Sequence, residues 1–185
     1  MQSHTNASSL GAGSLLVAGA LLLAAPSARA QTAKGGKIDP TWLHSDAATK
    51  TAEFKLVGAL TDLNGGMNFN GFDRGGLVLT VPEGWTVVLH FKNQDPNLPH
   101  SVEVIADGET LPTRPVAPAF EHAATGRLDQ GFSAGQGADI RFVAGKAGAY
   151  LIFCAVPGHG AAGMWTRLAV SATADNPTLA TAPER

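Results

Sequence analysis

The chain has 185 residues, enough for one domain with appendages. Hydrophobic residues make up 44% and charged residues 15%, which excludes a disordered chain. A net charge of −2 with no basic run excludes a surface built to meet nucleic-acid phosphates, and 22 glycines with 11 prolines favour short strands joined by turns over a helical bundle.

Residues 1–30 read as a secretory signal. Leu15 to Ala25 form an apolar core, Pro26 breaks it, and Ala28-Arg29-Ala30 supplies the small residues a signal peptidase reads. The run is short for a membrane span, which needs ~20 residues. Against the pattern, no Lys or Arg precedes the core. Cleavage after Ala30 is expected, with an uncleaved segment as the other route to a membrane. Export to a periplasm or its equivalent follows. Removing residues 1–30 takes away one charged residue, Arg29, leaving 12 basic and 15 acidic groups and a net charge of −3. Cys154 is the single cysteine, so no internal disulfide can form. A lone thiol in an oxidising compartment needs an occupant, and a metal would serve.

Residues 31–50 read as a linker ending in a short ordered piece, with Asp39 and Pro40 suited to cap and open one helical turn. From 51 to 171 the chain reads as a single domain. Ala52, Phe54, Leu56, Gly58 and Leu60 alternate with more polar neighbours, the period of a half-buried strand. Asn64-Gly65-Gly66 and Asn70-Gly71 mark turns. Residues 76–81 and 86–93 predict two strands joined by Pro82-Glu83-Gly84. In the second, Val87, Leu89 and Phe91 share one face, with Val88, His90 and Lys92 on the other.

A polar, proline-bearing loop then delivers His100, which shares a strand face with Val102 and Val104. Residues 107–137 show no clear period and read as a covering loop, with one irregular strand near Phe132. Residues 139–143, 149–154 and 165–171 complete the set, and 172–185 read as a disordered polar tail. Seven or eight short strands predict an all-β fold, a Greek-key sandwich or small barrel.

The chemistry sits at the end of this run. Cys154, His159 and Met164 are separated by four residues each time, on a Gly/Ala/Pro-rich loop after an apolar strand. A thiolate, an imidazole and a thioether suit copper better than zinc, calcium or magnesium. The missing ligand is a second histidine. His44 falls in the linker, His122 in the covering loop, and His90 on a solvated face beside Lys92. His100 alone points with apolar residues toward a core. The site is therefore His100, Cys154, His159 and axial Met164, holding one copper ion that cycles between Cu(I) and Cu(II).

Two segments carry a resemblance to a known family: Asn97-Leu-Pro-His100-Ser-Val, and Phe153-Cys154-Ala-Val-Pro-Gly-His159-Gly-Ala-Ala-Gly-Met164-Trp165. With Phe69-Asn70-Gly71 and Val81-Pro-Glu-Gly84 they resemble the sulfocyanin-like cupredoxins over residues 46–171. Plastocyanin-like proteins have a shorter Cys-to-His spacing and azurin-like ones a shorter His-to-Met spacing. The resemblance implies a cupredoxin fold and a mononuclear type 1 (blue) copper centre on the same four residues, in an exported redox carrier. Archaeal members are often membrane-anchored, whereas this amino terminus reads as cleavable.

The expected role is one-electron transfer between partners of a respiratory chain, such as cytochromes or a terminal oxidase. These would dock near His159, where Pro157, Gly158, Gly160, Ala161, Ala162 and Gly163 make an uncharged surface. Pro157 removes a backbone donor near the sulfur. Few hydrogen bonds to the thiolate and a dry surround lead to an expected relatively high potential. Enzymatic copper chemistry needs further metal centres built from His-x-His or His-Cys-His segments, and none occurs. The alternative is a copper-delivery protein without a redox role.

Overall fold

The computed structural model describes residues 35–108 and 110–183. The expected signal segment, 1–30, lies outside them. No helix among the described residues is long and apolar enough to cross a membrane.

Among the described residues, nine strands build two sheets, with two short 3-10 turns. The strands are β1 (Leu43–Asp46), β2 (Thr51–Gly58), β3 (Leu77–Pro82), β4 (Thr86–Asn93), β5 (Glu103–Ala106), β6 (Gly137–Val143), β7 (Gly148–Phe153), β8 (Trp165–Ser171) and β9 (Thr178–Thr181). One sheet runs β1-β2-β4-β6 and the other β5-β7-β8-β3-β9. Two pairings are parallel, β2 with β4 and β3 with β8, and the rest are antiparallel.

The alternation in the sequence is the alternation of burial. Ala52, Phe54 and Leu56 from β2, Val87, Leu89 and Phe91 from β4, and Val102 and Val104 near β5 face one another in the core. Glu53, Lys55 and Lys92 are left in solvent. His90 is half-exposed on that outer face, bonded to Asp139 across the β4–β6 pair. A second, smaller cluster of Ile105, Leu151, Phe153 and Ala155 forms on the far side of β5 and β7. Leu111 and Leu128 of the covering segment pack on it. That segment carries no named strand; near Phe132 it makes an isolated bridge to His100.

Both edges of the expected domain move outward. The linker expected at 31–50 contains the expected helical turn, a 3-10 turn at Pro40–Trp42 capped by the Asp39 side chain, but then continues into β1 on the edge of the first sheet. His44 therefore lies on an exposed edge strand. The tail expected to be disordered contributes β9, which pairs with β3 and places Leu179 against the core. The reason is physical: edge strands are solvated on much of both faces, so β1 and β9 lack the apolar alternation that marks β2 and β4.

Candidate metal centre

Two loops converge at one end of the sandwich. The loop after β4 delivers His100, and the β7–β8 loop delivers Cys154 at its first position, directly after β7, and then His159 and Met164. His100 Nδ1, His159 Nδ1 and Cys154 Sγ form a triangle with sides of 3.2, 3.8 and 3.6 Å. The point equidistant from these atoms is about 2 Å from each, the length of a metal–imidazole bond. Among the described residues, these three form the group of His, Cys, Asp and Glu whose donor atoms could share one ion. His100, Cys154 and Met164 are fully buried, and His159 is half-buried.

Met164 borders this triangle. A Cβ built on Gly58 would touch His100 Cδ2 and Met164 Cε alike, each at 3.5 Å. The backbone holds Met164 to the other two loop ligands: its N–H donates to His159 O at 3.0 Å, and its carbonyl accepts from Cys154 N–H at 3.0 Å. Two imidazoles, a thiolate and a thioether fit a type 1 copper ion, and such an ion is the cofactor of this site. His44, His90 and His122 lie on other parts of the surface.

The thiol of this site holds its proton firmly. Burial pushes the Cys154 thiol up to about 11, against the pull of hydrogen bonds from the Ser101 and Val156 backbones. Burial also lowers both histidines, outweighing Asp95 at His100 and reinforced by His100 at His159. Both imidazoles are thus neutral and ready to ligate, while the thiol must be deprotonated by the ion itself.

Asp95 was not legible as part of the site. Its Oδ2 lies 3.2 Å from His100 Nε2, the nitrogen turned away from the triangle. Its Oδ1 accepts the N–H groups of Asn97 and Leu98 at 2.8 and 2.9 Å. Burial raises its pKa, but these two donors and His100 together leave it below the usual carboxylate range. The carboxylate therefore fixes the His100 tautomer with Nδ1 free for the metal. Gly66 makes room for it: a Cβ there would stand 2.4 Å from Asp95 Oδ2. Asn93 supports the same loop, donating to Leu98 O and Phe132 O and accepting from Asp95 N–H.

Two expectations need correction. The sulfur is not short of donors, because Ser101 N–H lies 3.4 Å from Sγ and the Val156 backbone also bonds it. Pro157 removes a donor one residue too late to matter. The exposed loop surface is also smaller than the sequence implied. Gly160 and Gly163 are buried, leaving Pro157, Gly158 and Ala161 outermost, with Ala162 half-buried.

The profile of the sulfocyanin (SoxE) domain matches residues 40–181, including both edge strands. The chain is 34% identical to a sulfocyanin of Sulfolobus acidocaldarius over 111 residues, 56% of this chain and 55% of that one. It thus spans about half the length of this curated relative. Among solved structures, a rusticyanin variant is similar, with 24% identity and a TM-score of 0.50 over 69% of this chain and 80% of that one. This likeness shows the fold. Auracyanin A, a "blue" copper protein from Chloroflexus aurantiacus, has 22% identity and a TM-score of 0.47 over 65% of this chain and 99% of that one.

Proposed function

The chain belongs to the sulfocyanin (SoxE) domain family, and from that premise we propose that it is an exported carrier passing single electrons between partners of a respiratory chain. The observation that carries this reading is the pairing of three fully buried ligands with one half-buried one, His159. When bound, copper supplies a one-electron couple between Cu(II) and Cu(I). The protein's contribution is to hold its ligands still and dry. Asp95 orients His100, the β7 strand end fixes Cys154, and local backbone bonds tie Met164 to both neighbours. Phe91 and Phe132 pack edge to face at 6.2 Å beside His100, excluding water from its buried side.

The potential is expected to be relatively high. An N–H aimed at the sulfur stabilises its negative charge, which is largest in the reduced state, so the Ser101 and Val156 donors and the dry surround act together.

Electrons enter and leave through His159, the ligand that reaches the surface. Pro157, Gly158 and Ala161 around it give a small uncharged patch suited to brief encounters with cytochromes or an oxidase. Export by the 1–30 segment puts the chain where such partners work.

Purified with copper, the protein should show an intense thiolate-to-Cu(II) visible band and a narrow copper hyperfine splitting. Cys154→Ser should abolish the colour and His90→Ala should leave it. Ala161→Glu should slow electron exchange with a cytochrome while preserving the spectrum. A colourless oxidised protein would end the carrier reading. Rapid loss of copper to a chelator, with slow electron exchange, would favour delivery instead.

A further inference from the structure

Between His159 and Met164 the chain reads Gly-Ala-Ala-Gly, so no side chain larger than a methyl can anchor the turn that presents the thioether. Its internal bonds are short-range: Ala162 N–H to Gly158 O and Gly163 N–H to Gly160 O, both at 2.9 Å. Glycine-rich backbone of this kind loses much conformational entropy when ordered. Something outside the loop must hold it.

The segment between β2 and β3 does so. Asn64 Nδ2 donates to the Ala162 carbonyl at 3.1 Å, and Arg74 Nη2 donates to the same oxygen at 3.2 Å. The next carbonyl, Gly163 O, accepts from Arg74 N–H at 2.8 Å. Three donors from two residues thus grip two consecutive carbonyls immediately before Met164. The grip is built rather than incidental. Asn64 and Arg74 both adopt left-handed backbone, at φ 54° and 47°, a conformation that a side chain such as arginine's disfavours. Arg74 is also paired with the buried carboxylate of Asp73. Gly163 leaves space for the arginine stem, since a Cβ there would lie 3.0 Å from Arg74 Cγ and Cζ.

We propose that Asn64 and Arg74 are positioning residues for Met164, fixing through the Ala162 and Gly163 carbonyls how closely the thioether approaches the other three ligands. Neither touches the metal; they act on the loop. The inference rests on the copper reading above for its electronic consequence, but the mechanical part stands on the metal-free chain. The latch also ties the metal loop to a segment about 90 residues earlier, so tertiary contacts join the loop's own backbone bonds in placing the thioether.

The test uses Asn64→Ala and Arg74→Lys in the full-length protein. In the metal-free form, amide hydrogen exchange at Gly163 and Met164 should accelerate at least tenfold, with β3 and β8 as protected as before. In the copper-loaded form, the intensity ratio of the two thiolate-to-copper bands and the EPR rhombicity should change, and the potential should move. Asn64→Ala keeps the Asp73–Arg74 pair and guards against a folding failure of the arginine variant. Unchanged exchange at those amides would overturn the proposal, as would lower thermal stability with a wild-type spectrum and potential. A wild-type protein that takes up copper without colour would sink the carrier reading, while the exchange result would still judge the latch.

Discussion

Asp95 Oδ2 lies 3.2 Å from His100 Nε2, with both side chains almost fully withdrawn from solvent. This contact makes the carboxylate, His100 and the metal a relay of the kind that orients an imidazole and raises its basicity. Asp95→Asn keeps an oxygen for the Asn97 and Leu98 N–H groups and removes the negative charge. Copper affinity measured by chelator competition should fall ~10–100-fold, the usual effect of losing such a partner. The potential should rise, because a buried anion beside the site favours Cu(II). An unchanged potential would mean that the contact only packs the loop.

Gly58 sits where β2 passes beneath the site. An added Cβ would meet Phe91 Cε2 at 3.3 Å, and His100 Cδ2 and Met164 Cε at 3.5 Å. The last two are ordinary contacts, so Gly58→Ala should be tolerated within about 1 kcal/mol and keep its colour. Gly58→Val has nowhere to put its methyls and should cost roughly 1–3 kcal/mol, as overpacking does, while shifting the visible band. Thermal unfolding and absorption spectra of the two variants decide it. A Val variant with native stability and spectrum would contradict this packing.

Glu103 is fully buried, with Oε2 accepting Val116 N–H at 3.3 Å and Oε1 left without a partner. Burial pushes its carboxyl above the ordinary range, and the Val116 bond only partly offsets this. As pH rises past that range, the unfolded chain releases a proton that the folded chain keeps, so stability falls until the folded group also ionises. Glu103→Gln removes this dependence. At pH 4 it should match the wild type; at pH 7 it should be more stable by about 1 kcal/mol, a modest share of what an unsatisfied buried group costs. Denaturant titrations at the two pH values would show it, and equal differences at both would refute it.

The last strand also carries weight. β9 pairs with β3 along Leu77–Thr80, and Leu179 packs on the core. A chain ending at Asp175 leaves β3 as an open edge. It should lose roughly 1–3 kcal/mol of stability, the common range for losing such contacts. Its copper spectrum should be unchanged, because the ligands lie on other elements. Calorimetry and absorption test the two halves separately, and a truncated chain melting at the wild-type temperature would return residues 176–185 to the status of a tail.

Much of this was written in local pattern. The period-two alternation of β2, β4 and β8 survives in the sequence because each strand has one face in the core, while β7, buried on both faces, shows as a continuous apolar run. The ligands Cys154, His159 and Met164 were legible because thiol, imidazole and thioether at this spacing on one loop have few other uses. His100 could be picked from the other histidines by the apolar company of Val102 and Val104. Asp95 could not, since an acidic residue in a polar proline-bearing loop reads as solvated until the fold buries it.

By itself, then, the amino-acid order determined the ligand types, their spacing and the sheet-forming strands, because these depend on neighbours within a few residues. Only the tertiary structure decided which carboxylate would steady His100, that β1 and β9 close the sheet edges, and that Asn64 and Arg74 would hold the carbonyls of Ala162 and Gly163. Those contacts join residues far apart in the chain, and their energy exists only once the sandwich has brought the loops to one end.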